Sequence, residues 1–236
     1  AVVGPLIDTL AARPLWADPF LEQASREAPD PEGLTRLIVG LARRHYPLSA
    51  TTVAQASARI ADRGRYDLAW QVHRTGHPNA VRGQVQDPNF LAAGEAATPF
   101  GWSILGSNGV TAELRSYGAG NRLAYMAATG AGGPAARQLL LLPTGSFTLD
   151  AQASAIAADS PGPRLRLTCA GSGQIIAQVP TTAIRAGDAS LVGRFSIPSR
   201  CPAQWLEVVI DGGDSPAGAS GEIGPVRVVP VGGTGK

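Results

Sequence analysis

The chain has 236 residues, 44% hydrophobic and only 16% charged, with a formal net charge of +2. That length holds two domains of about 85 and 150 residues, and the composition excludes a disordered chain. The near-neutral balance argues against a nucleic-acid binder, which needs a clustered basic face. No apolar run approaches the ~20 residues of a membrane-spanning helix, so no transmembrane segment is expected in this chain. The chain opens AVVGPLIDTL without Met or a leader pattern, and is expected to be a processed product whose signal or anchor has gone.

The first third reads as helices. Leu6, Ile7 and Leu10 indicate a short one, and Asp18-Pro19 opens a second carrying Phe20, Leu21 and Ala24. Asp30-Pro31 marks another start, with Asp as cap and Pro at the first helical position. Leu34, Leu37, Ile38 and Leu41 follow as one apolar stripe, and Pro47 stops it. Ser49 caps a helix over 50–62 with Val53, Ala56 and Ile60, ended by Gly64. The last helix runs from Tyr66 to Thr75, with Ala69, Val72 and His73 on one side. His73 and His77 have the spacing of a metal pair, but Gly76 and Pro78 surround His77 and no acid or Cys completes a set.

From residue 86 onward short alternating runs are broken by Gly, Pro, Asn and Asp. The spacing predicts strands over 100–105, 110–117, 121–128, 136–142, 145–153, 163–169, 174–179, 190–197, 203–210 and 222–229, an antiparallel sandwich or barrel. Gln204, Leu206, Val208 and Ile210 alternate with Trp205, Glu207 and Val209, which sends Trp205 outward. Cys169 and Cys201 lie in or beside strands. They are either two buried thiols or one disulfide closing a loop of about 32 residues. A disulfide places the protein outside the reducing cytosol, in a periplasmic, outer-membrane-associated or secreted setting.

Two resemblances add to this reading. Gly64-Arg65-Tyr66-Asp67-Leu68-Ala69, ending at Gly76-His77-Pro78-Asn79, is similar to the second helix of a tetratricopeptide repeat. The helix over 50–62 would be its partner. Asp87-Pro88-Asn89-Phe90, then Pro99-Phe100-Gly101-Trp102, resembles the opening of galactose-binding-like jelly rolls of the family 4/9 carbohydrate-binding-module type. The run from Arg137 to Leu149 resembles their middle hairpin, and Glu222-Ile223-Gly224-Pro225-Val226 stands where they enter the last strand. The resemblance implies a buried Trp102 and a saccharide ligand. It also implies a structural calcium, but Leu91 and Gly224 replace the usual acids, leaving Glu95 and Glu222 as the calcium candidates.

The expected fold is α+β in two segregated domains, helical hairpins over 1–80 and a β-sandwich jelly roll over 99–232. Residues 81–98 form a connection, and the first strand can begin at 87. Sugar binding needs an aromatic platform and polar side chains that fix hydroxyls. The outward candidates are Tyr117, Tyr125 and Trp205, with Glu113, Arg115 and Glu207 as polar partners. All three histidines lie in the helical part and no Gly-x-Ser-x-Gly elbow is present, so a non-catalytic role is expected. That role is carbohydrate or glycoconjugate binding in a bacterial envelope. The alternative is a protein-interaction scaffold in a polysaccharide synthesis or export assembly, with another envelope protein docking on the helices. Nineteen of the twenty cationic side chains are Arg, read here as composition bias.

Overall fold

The computed structural model describes residues 3–92, 98–106, 108–118, 120–157, 160–182 and 185–232. Five helices come first: α1 Val3–Ala11, α2 Ala17–Glu27, α3 Pro31–Arg43, α4 Ala50–Asp62 and α5 Tyr66–Gly76. Ten strands follow: β1 Ser103–Ile104, β2 Val110–Tyr117, β3 Gly120–Ala127, β4 Gly132–Leu140, β5 Gly145–Ser154, β6 Arg164–Cys169, β7 Ile175–Pro180, β8 Ala189–Ile197, β9 Gln204–Asp211 and β10 Ala219–Pro230. The α+β order and the segregation of helices from strands are as the sequence predicts.

Helices α1–α5 form one compact unit, joined by residues 98–100. The apolar stripes are where the periodicity places them, with Leu34, Leu37, Ile38, Leu41, Val53, Ala56, Ile60, Ala69 and Val72 all buried. Ser49 caps α4 by accepting the Thr52 N–H at 3.0 Å. Asp30 precedes α3 with extended backbone but makes no side-chain cap bond, so Pro31 alone marks that start. Gly64 ends α4 at φ +71°, a conformation costly for any residue with a Cβ. His73 is buried at 3% exposure, its ring packed on Trp70, Phe100 and His77. The His73 and His77 rings stack at 4.4 Å. Among the described residues no group of three or more His, Cys, Asp or Glu gathers to hold a metal.

The second unit is a sandwich of two five-stranded antiparallel sheets. Sheet A has the order β1-β4-β9-β6-β7 and sheet B the order β2-β3-β10-β5-β8. From β3 onward the chain crosses between the sheets at almost every connection, the jelly-roll pattern. The inward faces meet in one core, with Leu140, Leu165, Leu167, Leu206 and Val208 from sheet A against Leu123, Phe147, Leu149, Leu191 and Ile223 from sheet B. Residues 81–92 group with this unit. They send Val85 and Phe90 into its core.

The Asp87–Phe90 segment is locked by its surroundings. The Phe90 ring lies 4.9 Å from Trp102, and the Trp102 indole N–H donates to the Asp87 carbonyl at 3.1 Å. The Asn121 side chain donates to the Phe90 carbonyl at 2.9 Å. The β10 bulge between Ile223 and Val226 lets Val226 N–H reach the Pro88 carbonyl at 3.0 Å. Cys169, ending β6, is joined by a disulfide to Cys201, just before β9, across 32 residues. A loop of that length gives about 3 kcal/mol of stabilisation in the chain-entropy account.

Candidate functional site

The outward face of sheet B is assembled by register. Glu113 of β2 faces Ala124 of β3, which faces Glu222 of β10, which faces Ser154 of β5. The next row sets Thr111, Met126 and Ser220 side by side, and Arg115 lies opposite Arg122. Ala124 is too small to fill its place between the two glutamates. The result is a groove of about 350 Å³ lined by Thr111, Glu113, Arg115, Met126, Ser220 and Glu222 among others. A smaller hollow of about 240 Å³ is lined by Asn89, Tyr117, Asn121, Arg122 and the Gly224–Pro225 bulge. Arg115, Tyr117 and Arg122 lie along the neighbouring edges of the two.

Two arginines directly opposite on adjacent strands repel, and the site relieves this by giving each a partner. The Arg115 Nε donates to Glu113 at 2.8 Å. The Arg122 guanidinium lies over the Tyr117 ring at 3.7 Å from its centroid and also donates to the Ser154 hydroxyl. Tyr117 nevertheless remains 57% exposed and Met126 62% exposed. The face therefore combines apolar surfaces, flat enough for a sugar ring, with carboxylate, guanidinium and hydroxyl groups that can bond sugar hydroxyls.

The outward face of sheet A is different. Trp205 is half-buried, with the Arg137 guanidinium 4.7 Å from its ring centroid. Glu207 is taken by Arg166 at 2.7 Å. Leu139, opposite Trp205, is 1% exposed, and Val209 is 2% exposed. Neither belongs to the sandwich core, so Trp205 stands among buried neighbours.

The six sequence candidates are thus not one site. Glu113, Arg115 and Tyr117 share the open face of sheet B, while Trp205 and Glu207 lie on the opposite sheet. The expectation that Tyr125 faces outward is corrected: it points inward with Leu123 and Ala127 and is 2% exposed, although it is among the residues that line the groove. The phase was legible, since Arg122 in the alternate position of β3 should face out. Burial pushes the Tyr125 phenol above its ordinary range, and its hydroxyl has no partner among the described residues.

Of the calcium candidates, Glu95 lies outside the described residues and Glu222 belongs to the groove. Asp87, the nearest acid to the Phe90 motif, spends its carboxylate on the backbone N–H groups of Leu91 at 2.7 Å and Ala92 at 2.8 Å. Calcium needs six to eight oxygen ligands, and the described residues at this position do not fit it. Sequence reasoning missed Arg122, Met126, Ser154 and Ser220. They come together only through the pairing of strands far apart in the chain.

No protein-family model matches the sequence, and no curated protein matches it. Among solved structures, a CBM4 structure matches with 15% identity over 62% of this chain and 99% of its own, at a TM-score of 0.45. TmCBM61, solved with β-1,4-galactotriose, matches with 14% identity over 64% of this chain and 99% of its own, at 0.41. The CBM22-1–CBM22-2 tandem of Paenibacillus barcinonensis Xyn10C matches with 14% identity over 67% of this chain and 49% of its own, at 0.43. At these values the matches do not decide a ligand, and the functional reading rests on this chain's own residues.

Proposed function

We propose that this chain is a non-catalytic binder of a saccharide or glycoconjugate, and that the ligand lies on the outward face of sheet B. The observation that carries this is the asymmetry of the sandwich. On sheet A the outward Trp205 is half-buried beside buried Leu139 and Val209, whereas sheet B presents an open groove with Tyr117 and Met126 exposed beside Glu113, Arg115, Arg122 and Glu222. Apolar platforms with a few convergent polar groups are what sugar recognition needs. The disulfide supports an oxidising setting: the periplasm, the outer membrane surface or the exterior. No described helix is long and apolar enough to cross a membrane.

One observation favours a second role for the helical unit. In the α1–α2 connection Leu15 is fully exposed and Trp16 is 47% exposed, edge-on to Phe20. An apolar pair held out on a helical hairpin suits a protein partner. That is the scaffold reading, with tetratricopeptide-like pairing of α4 and α5 as its framework.

A glycan-array screen of the whole chain is expected to give saccharide hits. Tyr117→Ala should weaken the best of them about fivefold to tenfold, the scale of one aromatic contact, with an unchanged melting temperature. An empty array would remove the saccharide reading and leave the scaffold role.

A further inference from the structure

The outward face of sheet B carries more than the groove. Beyond it, Arg227 of β10 lies opposite Asp150 of β5, which faces Val192 of β8. In the next row Val229 faces Thr148, which faces Arg194. Arg194 and Arg227 are exposed. Among the described residues neither has an ion pair or side-chain hydrogen bond, and Arg122 has no carboxylate partner. Val192 and Val229 are 54% and 49% exposed beside them.

On sheet A, Arg164 lies 3.7 Å from Asp211 and Arg166 2.7 Å from Glu207, while Arg137 rests on Trp205 much as Arg122 rests on Tyr117. Arg194 and Arg227 are left with neither an acid nor a ring among the described residues. The face of sheet B holds Arg115, Arg122, Arg194 and Arg227 against Glu113, Asp150 and Glu222, and only Arg115 is neutralised by an ion pair.

The three arginines without an acid partner lie on a diagonal across the sheet. Arg194 is two strands and two residues from Arg227. With strands about 4.8 Å apart and a rise of about 3.4 Å per residue, that is roughly 12 Å. Arg122 is one strand from Arg227 and on the far side of the β10 bulge, on the order of 10 Å away. Such intervals match the spacing of charges carried by alternate sugars of a linear chain. Arg also offers a planar fork that receives a carboxylate through two parallel N–H bonds.

We propose that the ligand of this face is an acidic polysaccharide, a linear chain with uronate carboxylates received by Arg122, Arg227 and Arg194 in turn. Its uncharged ring faces rest on Tyr117, Met126, Val192 and Val229. This rests on the saccharide reading and adds the charge of the ligand to it. A nucleic acid is the other polyanion with regular charges. It is disfavoured by a single exposed aromatic among the described side chains of this face, where single strands need stacking platforms for successive bases.

The test uses the full chain and a panel of galacturonate, mannuronate and glucuronate-containing oligosaccharides. Each is paired with its methyl-esterified form, which keeps the chain and removes the charge. At least one acid should bind ten times or more tighter than its ester at low ionic strength, and added salt should close the gap. Arg194→Gln and Arg227→Gln should each weaken the acid severalfold without moving the melting temperature or the affinity for the ester. Equal binding of acid and ester would overturn the proposal and leave the saccharide reading standing. Binding of neither, with no array hit, would remove both. Single-stranded DNA bound as tightly as the uronates would replace a saccharide-specific face with a general polyanion site and overturn the proposal.

Discussion

Trp102→Ala is expected to destabilise the sandwich by about 4 kcal/mol, the scale for removing a buried Trp. Trp102 is 1% exposed and packs on Phe90, and its indole N–H is the hydrogen-bond donor to the Asp87 carbonyl. The variant loses the packing, opens a cavity and leaves the Asp87 carbonyl without that donor. Trp102→Phe keeps an aromatic ring but not the N–H, so it separates packing from hydrogen bonding and should cost clearly less. Urea unfolding followed by tryptophan fluorescence and by circular dichroism measures both. A loss below about 1 kcal/mol for the Ala variant would mean that the Asp87–Phe90 segment does not hold the sandwich together.

The second large effect is acid destabilisation of the helical unit through His73. Burial, with a smaller contribution from His77, pushes the His73 imidazole down to about 3. An unfolded chain binds that proton below about pH 6.5. Above pH 6.5 both states are neutral and the contribution is flat. As pH falls from 6.5 towards 3 the unfolded state gains a proton that the folded state refuses, so stability falls by about 1.4 kcal/mol per pH unit. Between pH 7 and pH 5 the loss is about 2 kcal/mol. Burial also holds His77 below its ordinary range, with the same sign. The helical far-UV signal, followed against urea at several pH values, should show this slope. His73→Phe should flatten most of it, and an equal slope in the variant would show that other groups carry the acid sensitivity.

The elements of this fold were legible in the chain because their signals are local. The 3.6-residue stripe of Leu34, Leu37, Ile38 and Leu41 and the alternation of Gln204, Leu206 and Val208 each report one element's buried side, and all are buried. Trp102, which the resemblance implied to be buried, is 1% exposed. The site was less legible because it depends on pairing. Nothing local to Glu113 says that Glu222, over a hundred residues later, will stand across Ala124 from it. Nothing local to Trp205 says that it will stand opposite Leu139 and that this neighbour will be buried. Outwardness could be read strand by strand, but not which outward residues share a face. Tyr125 was misplaced because its strand, NRLAYMA, carries apolar residues in both phases, and only Arg122 separates them.

The central claim is that a saccharide sits on the outward face of sheet B. Backbone amide shifts of isotope-labelled full-length protein, followed during titration with the best array hit, test it most directly. Perturbations should gather on Thr111–Tyr117, Arg122–Met126 and Ser220–Glu222, and leave Leu139, Trp205 and Glu207 still. Shifts centred on Trp205 and its neighbours in β4 and β6, with β2 and β3 unmoved, would contradict it.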